Sequence, residues 1–128
     1  MSVRIVQLGS PRQAGEGLRI GTVRRPPRGV PKAEFARRNY YDVWLPVLSP
    51  SAELVSQALA ASTDAEWRKV ARKIRSELHA GEPGKVLDLL AALSATADFS
   101  VGCYCEDEHR CHRSVLRELL LERGARVA

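Results

Sequence analysis

A chain of 128 residues, 45% hydrophobic and 27% charged, is long enough to bury one core without staples and too ordinary in composition to be disordered. No stretch approaches the roughly 20 apolar residues that span a bilayer, and Met1-Ser2-Val3-Arg4-Ile5-Val6 lacks the apolar run of a secretory signal, so the expectation is a cytoplasmic protein with no membrane partner. The net charge of +5 is concentrated early. Through residue 40, nine basic residues face only Glu16 and Glu34, a balance that draws phosphates or merely solubilises a loop.

Val3–Leu8 alternates apolar and polar residues and ends at Gly9-Ser10-Pro11, the pattern of a strand and turn. Leu18–Val23 alternates in the same way. Arg24-Arg25-Pro26-Pro27-Arg28-Gly29-Val30-Pro31-Lys32 is neither helix nor central strand, because its prolines fix φ and remove donors; it reads as a stiff basic loop at a strand end. Asp42–Pro46 is a short strand-like run, with Trp44 in the core or on a groove wall. Tyr40 and Tyr41 are expected to pack, since no repeated aromatic pattern marks a stacking surface.

Ser51 is placed to cap a helix with Leu54, Val55, Ala58 and Leu59 inward. Thr63 and Glu66 have capping-box spacing before Trp67, Val70, Ala71, Ile74 and Leu78. A third helix starts near Pro83 and carries Val86, Leu87, Leu90 and Leu93. His79, at a helix end, is assigned no function. Phe99–Cys105 reads as a buried strand, Glu106–Glu108 as a polar break, and Val115, Leu116, Leu119 and Leu120 as the stripe of a last helix. That helix begins near Arg110–His112 and stops at Gly124, with Ala125–Ala128 as a strand stub. Strands separated by helices imply crossovers, hence a single α/β domain with a small, largely parallel sheet covered by about four helices.

Open parallel sheets bind ligands outside the carboxyl ends of their strands, which directs attention to Cys103–Arg113. Cys105, with His109, Arg110 and His112 nearby and a helix N-terminus beside it, is a candidate thiolate nucleophile. Cys105 and His112 are therefore the candidate catalytic residues. Arg25, Arg28, Lys32, Cys111 and Arg113 are the candidate anion ligands, with helix N–H groups assisting. A bland reading stands beside this one: Cys103 and Cys111 pack as small hydrophobes while His112 and Arg113 are solvated.

Two sharper enzyme assignments fail on spacing. A phosphatase-type loop needs arginine six positions after its cysteine, and Cys111 stands six after Cys105. A rhodanese-type loop needs glycine where Glu106-Asp107-Glu108 stand. Zinc is disfavoured, because Cys103 and Cys105 lie in an expected strand, where side chains spread apart, and no second knuckle follows. No metal or cofactor is assigned.

Gly17-Leu18-Arg19-Ile20, Pro27-Arg28-Gly29-Val30 with Lys32, Asp42-Val43-Trp44-Leu45, Ser49-Pro50-Ser51 with Leu54, and Trp67 resemble the YeaO-like branch of domain-of-unknown-function family 488. Cys105-Glu106 through Cys111-His112-Arg113 is similar to that family's broader signature. YeaO-like text usually runs Asp-Arg-Leu-Trp-Pro-Arg-Gly where this chain has Arg24–Gly29. The resemblance implies a compact α/β fold in a bacterial or archaeal cytoplasm and suggests that the Pro27-Arg28-Gly29 loop and the Cys-His-Arg turn form one site. The leading functional reading is a domain binding a phosphate-bearing small molecule or nucleotide, with or without catalysis. The alternative is a nucleic-acid-associated module using the basic N-terminal third, and a third is a partner-binding subunit.

Overall fold

The computed structural model describes residues 1–128. Four parallel strands, β1 (Val3–Gln7), β2 (Leu18–Gly21), β3 (Val43–Trp44) and β4 (Phe99–Cys103), form one sheet in the order β1-β4-β2-β3. Four helices accompany them: α1 (Ala52–Ala60), α2 (Asp64–His79), α3 (Gly81–Leu93) and α4 (His112–Glu122). The expected α/β class, parallel sheet and helix number are all present. The tail adds a parallel bridge, Val127 to Val3, on the free side of β1.

Position in the sheet follows from sequence character. β4 is buried at every residue and lies between β1 and β2, in register Ile5–Val101 and Ile20–Val101. A run flanked on both edges and covered on both faces has no use for polar alternation. Only Ser100 is polar, and its hydroxyl is satisfied by Glu16.

Side chains alternate across the sheet, and the two faces differ in kind. Val3, Ile20, Phe99 and Val101 pack with Trp67, Ile74, Leu87, Leu116 and Leu119 in the main core, so the helices cover this face. On the other face the register aligns Arg19 with Ser100 and Gly21 with Gly102, and irregular chain covers them. Tyr41 lies so close over Gly21 that a Cβ there would sit 2.4 Å from its ring. Glycine is required by this contact.

Arg19 is fully buried on this second face. It makes two 2.9 Å bonds to Glu16 and two 2.8 Å bonds to the carbonyls of Ser10 and Asn39. One guanidinium thus ties the β1–β2 and β2–β3 connections to the sheet, and its fork geometry suits the task. Alternation gives no sign of this, since an arginine within a strand reads as solvated.

The caps form where the spacing places them. Ser51 Oγ accepts from Leu54 N at 3.4 Å and Thr63 Oγ1 from Glu66 N at 3.1 Å, while the Glu66 carboxylate reaches back to Ser62 N. Gly124, at φ +81°, follows α4. Some expectations are corrected. Leu59 and Leu93 are exposed, because the stripes of α1 and α3 are narrower than their apolar residues suggest. The third helix starts at Gly81, with Pro83 within its first turn.

Burial pushes the Glu16 carboxyl up, but the hydrogen bonds and charge of Arg19 more than offset this and hold it below its ordinary value. The pair's stabilisation is therefore present above the unfolded carboxylate range, about pH 4.3, and is lost as pH falls through the lower folded value. Glu16→Gln is expected to remove this part of the acid limb. It is also expected to cost about 3–5 kcal/mol at neutral pH by stranding a buried cation, as measured by urea unfolding at pH 7 and pH 3.

Candidate functional site

Parallel register brings the ends of β1, β2 and β4 to one rim. Leu8 N donates to Cys103 O at 2.8 Å and Thr22 N to Gly102 O at 3.0 Å, so the segments following these strands emerge side by side. β4 ends at Cys103, not at Cys105 as alternation suggests. The chain bends there, and Cys103 Sγ and Cys105 Sγ lie 3.8 Å apart. The expectation that these side chains spread apart along a strand is thereby overturned.

A short turn, Glu108–Arg110, precedes α4, and Cys111 occupies the N-cap position of that helix. Cys111 is buried with Cys103, Leu8, Val23 and Tyr41. His112 is also buried, with Nε2 2.8 Å from Thr22 O and 3.2 Å from Thr22 Oγ1. A carbonyl oxygen only accepts, so Nε2 carries the proton. In the neutral ring this leaves Nδ1, which faces Cys111 Sγ at 3.8 Å, without a proton.

Arg113, expected as an anion ligand, is buried and donates through Nη2 to Cys105 O at 2.6 Å. Its Nε has no hydrogen-bond partner. The solvated reading of His112 and Arg113 fails, because both side chains reach back across the strand ends.

The three thiols hold one another in unlike states. Hydrogen bonds from Cys103 and Cys105 hold Cys111 far below the usual thiol range, outweighing its burial, and the charged form of His112 adds to the effect. Hydrogen bonds to Cys105 and Cys111, and then burial, push Cys103 strongly up. For Cys105 the Cys103 contact lowers the value, but Cys111 and burial raise it more, and the net shift is upward. The depressed thiol is therefore Cys111 rather than Cys105, because Cys111 is the sulfur on which the other two converge.

A cavity of about 390 Å³ opens above this cluster, within the usual size of small-ligand sites. Arg24, Arg25, Arg110, Cys103, Cys105, Cys111 and His112 line it on one side, and Val55, Ala58 and Leu59 of α1 on the other. Arg25 and Tyr104 also line an adjoining cleft of about 850 Å³, together with Arg28, Gln7 and Tyr40. Tyr104 OH donates to Arg25 O at 2.9 Å, which pins the basic loop to the end of β4. Arg25 thus meets the thiols, and Arg28 stands one cleft away. Lys32 lies exposed on a separate short turn and lines neither space.

The acids of the polar break are turned to other tasks. Asp107 accepts from His109 N at 2.9 Å. Glu108 pairs with Arg117 through bonds of 2.6 and 3.0 Å, and this guanidinium holds its carboxyl below the ordinary value. No acid lines the cavity. Trp44 is neither core nor groove wall: it is 42% exposed, and its indole donates to Val23 O at 2.7 Å.

Residues 3–124 match the family model described as "Active DUF488-N3 subclade". The chain belongs to the DUF488 family. Neither the comparison with curated proteins nor that with solved structures yields a match. The DUF488 match spans both the basic loop and the Cys-His-Arg turn.

Arg113→Met would leave the Cys105 carbonyl without its donor. Losing one charge-assisted bond of this kind is expected to cost about 2 kcal/mol, seen as a lower urea midpoint with an unchanged slope. A change within about 0.5 kcal/mol would mean that the guanidinium does not hold the turn.

Proposed function

We propose that the chain binds a phosphate-bearing small molecule or nucleotide in the crevice between the basic loop and the Cys-His-Arg turn. One observation carries the reading: Arg24 and Arg25 share a single cavity with Cys105, Cys111 and His112. The cavity combines cations on one wall with the apolar lip Val55–Leu59 on the other, which suits a molecule with an anionic end and an apolar or aromatic end. Arg25, which lines both the cavity and the adjoining cleft, holds the anion, Arg28 reaches it from the cleft, and Lys32 contributes only long-range charge. Arg113 acts as a positioning residue, holding the Cys105 carbonyl beneath the ligand. Cys105, the half-buried sulfur of the three, is the one presented to the ligand, with Cys111 and His112 behind it. The word "Active" in the matched description supports a reacting centre rather than an inert surface.

Use of charge within the fold favours this reading over a nucleic-acid module. Among the nine early basic residues, Arg4, Arg12, Arg19, Arg24 and Arg37 already hold partners within the chain. What remains is a pair at the crevice plus Lys32 and Arg38, too few for a phosphate-tracking stripe.

Titration calorimetry with adenosine monophosphate and with inorganic phosphate tests the proposal. Arg25→Ala is expected to weaken binding about tenfold or more, the worth of one charge-assisted contact, while Arg38→Ala leaves it unchanged. Equal losses in both variants, with affinity falling steeply in salt, would replace this reading with backbone binding of nucleic acid. Absence of binding would sink it.

A further inference from the structure

Three soft donor atoms converge under the crevice from two segments of chain, and a fourth stands beside one of them. Cys103 Sγ, Cys111 Sγ and a ring nitrogen of His112 lie within 4.8 Å of one another, all on buried residues. Cys105 Sγ joins them 3.8 Å from Cys103 Sγ. We infer that Cys103, Cys105, Cys111 and Nδ1 of His112 form a tetrahedral site for a soft divalent cation, zinc above all.

Two of the donor spacings match those of a coordination shell. Zinc–sulfur bonds of about 2.3 Å at tetrahedral angles put neighbouring sulfurs about 3.8 Å apart. The Cys103–Cys105 separation is 3.8 Å, as is that between Cys111 Sγ and His112 Nδ1.

Two further features lie outside the ligand set. A metal-bound histidine nearly always donates its other N–H to a carboxylate or carbonyl, which fixes tautomer and ring orientation. Here Nε2 is committed to Thr22 O at 2.8 Å, and Nδ1, the nitrogen left bare, is the one that faces Cys111. Arg113 is the second feature. Three thiolates around a dication leave one net negative charge. The buried guanidinium, anchored on Cys105 O at 2.6 Å and with an unpartnered Nε, stands beside the cluster to balance it. Arg113 is 4% exposed, and besides the Glu108 carboxylate, whose pKa it helps to lower, an anionic centre here would offset its buried charge.

Cys105 is the one ligand residue of the four that is not fully buried, so the face of the metal towards Cys105 is the face towards the crevice. This inference concerns the same crevice as the proposed ligand site but does not depend on ligand binding. A donor set of three sulfurs and one imidazole nitrogen favours zinc over magnesium or calcium, which take oxygen.

Metal analysis of untagged protein, purified without chelator, tests the inference, together with titration of native thiols by a disulfide reagent. About one zinc per chain is expected, with all three thiols protected until a strong chelator is added. Cobalt substitution is expected to give the intense visible bands of a tetrahedral thiolate site, with sulfur-to-metal charge transfer reduced in Cys105→Ser. This variant changes the half-buried ligand and spares the core should Cys103→Ser fail to fold. Substoichiometric metal together with thiols that react before chelation would overturn the inference. So would cobalt spectra identical in Cys105→Ser and the parent. Phosphate titrations on loaded and stripped protein separate the two readings: zinc without anion binding sinks only the crevice ligand, and anion binding without zinc sinks only the metal site.

Discussion

One hydrogen bond fixes the geometry of the rim: His112 Nε2 to the carbonyl of Thr22, 90 positions away in the chain, at 2.8 Å. It joins the first turn of α4 to the end of β2 across the end of β4. The Thr22 hydroxyl meanwhile donates to Gly102 O at 2.8 Å, so the acceptor is itself held to the central strand. With the ring clamped from behind, Nδ1 points at Cys111, and Cys111 at the two sulfurs of β4's end. The imidazole is a strut first, and its chemistry follows from being one. Remove the bond and the ring loses its fixed orientation towards Cys111, although Leu116 and Leu119 still seat α4 on the core.

A second constraint supports the first from the opposite face. Arg19 and Glu16 neutralise one another beneath the loops that cover β2, and the carbonyls of Ser10 and Asn39 close around the guanidinium. This is where the N-terminal arginine excess goes. The charge excess reads as a surface for anions, yet much of it is internal scaffolding. The portion left for a ligand is small and sits at the pinned loop, where Tyr104 holds the Arg25 backbone.

The fold was largely legible because its signals are local. Alternation marked β1, β2 and β4, helical spacing placed Trp67, Ile74 and Leu78 in the core, and Ser51 and Thr63 marked helix starts. The candidate site was legible only in outline. Text alone pointed to Cys103–Arg113 and to its meeting with the basic loop. It did not reveal which thiol would be depressed, because this depends on where β4 ends. A strand running to Cys105 would have splayed the first two sulfurs, whereas a bend after Cys103 gathers them around Cys111. The burial of Arg113 and Arg19 is not legible for one reason: a buried arginine is recognised by partners outside its own element, such as Cys105 O or Asn39 O, and period alone cannot supply them. Lys32 stands close to Arg25 in the text but lines neither the cavity nor the cleft, whereas Arg28 lines the cleft beside Arg25.

The orientation of the imidazole at the rim rests on this clamp, and the most direct measurement is long-range nitrogen–proton NMR of the His112 ring in its neutral form. A single form is predicted, with the proton on Nε2 and Nδ1 bare or metal-bound. A ring protonated at Nδ1 with Nε2 bare, or one averaging between the two tautomers, would contradict it, since neither is compatible with a strut on the Thr22 carbonyl.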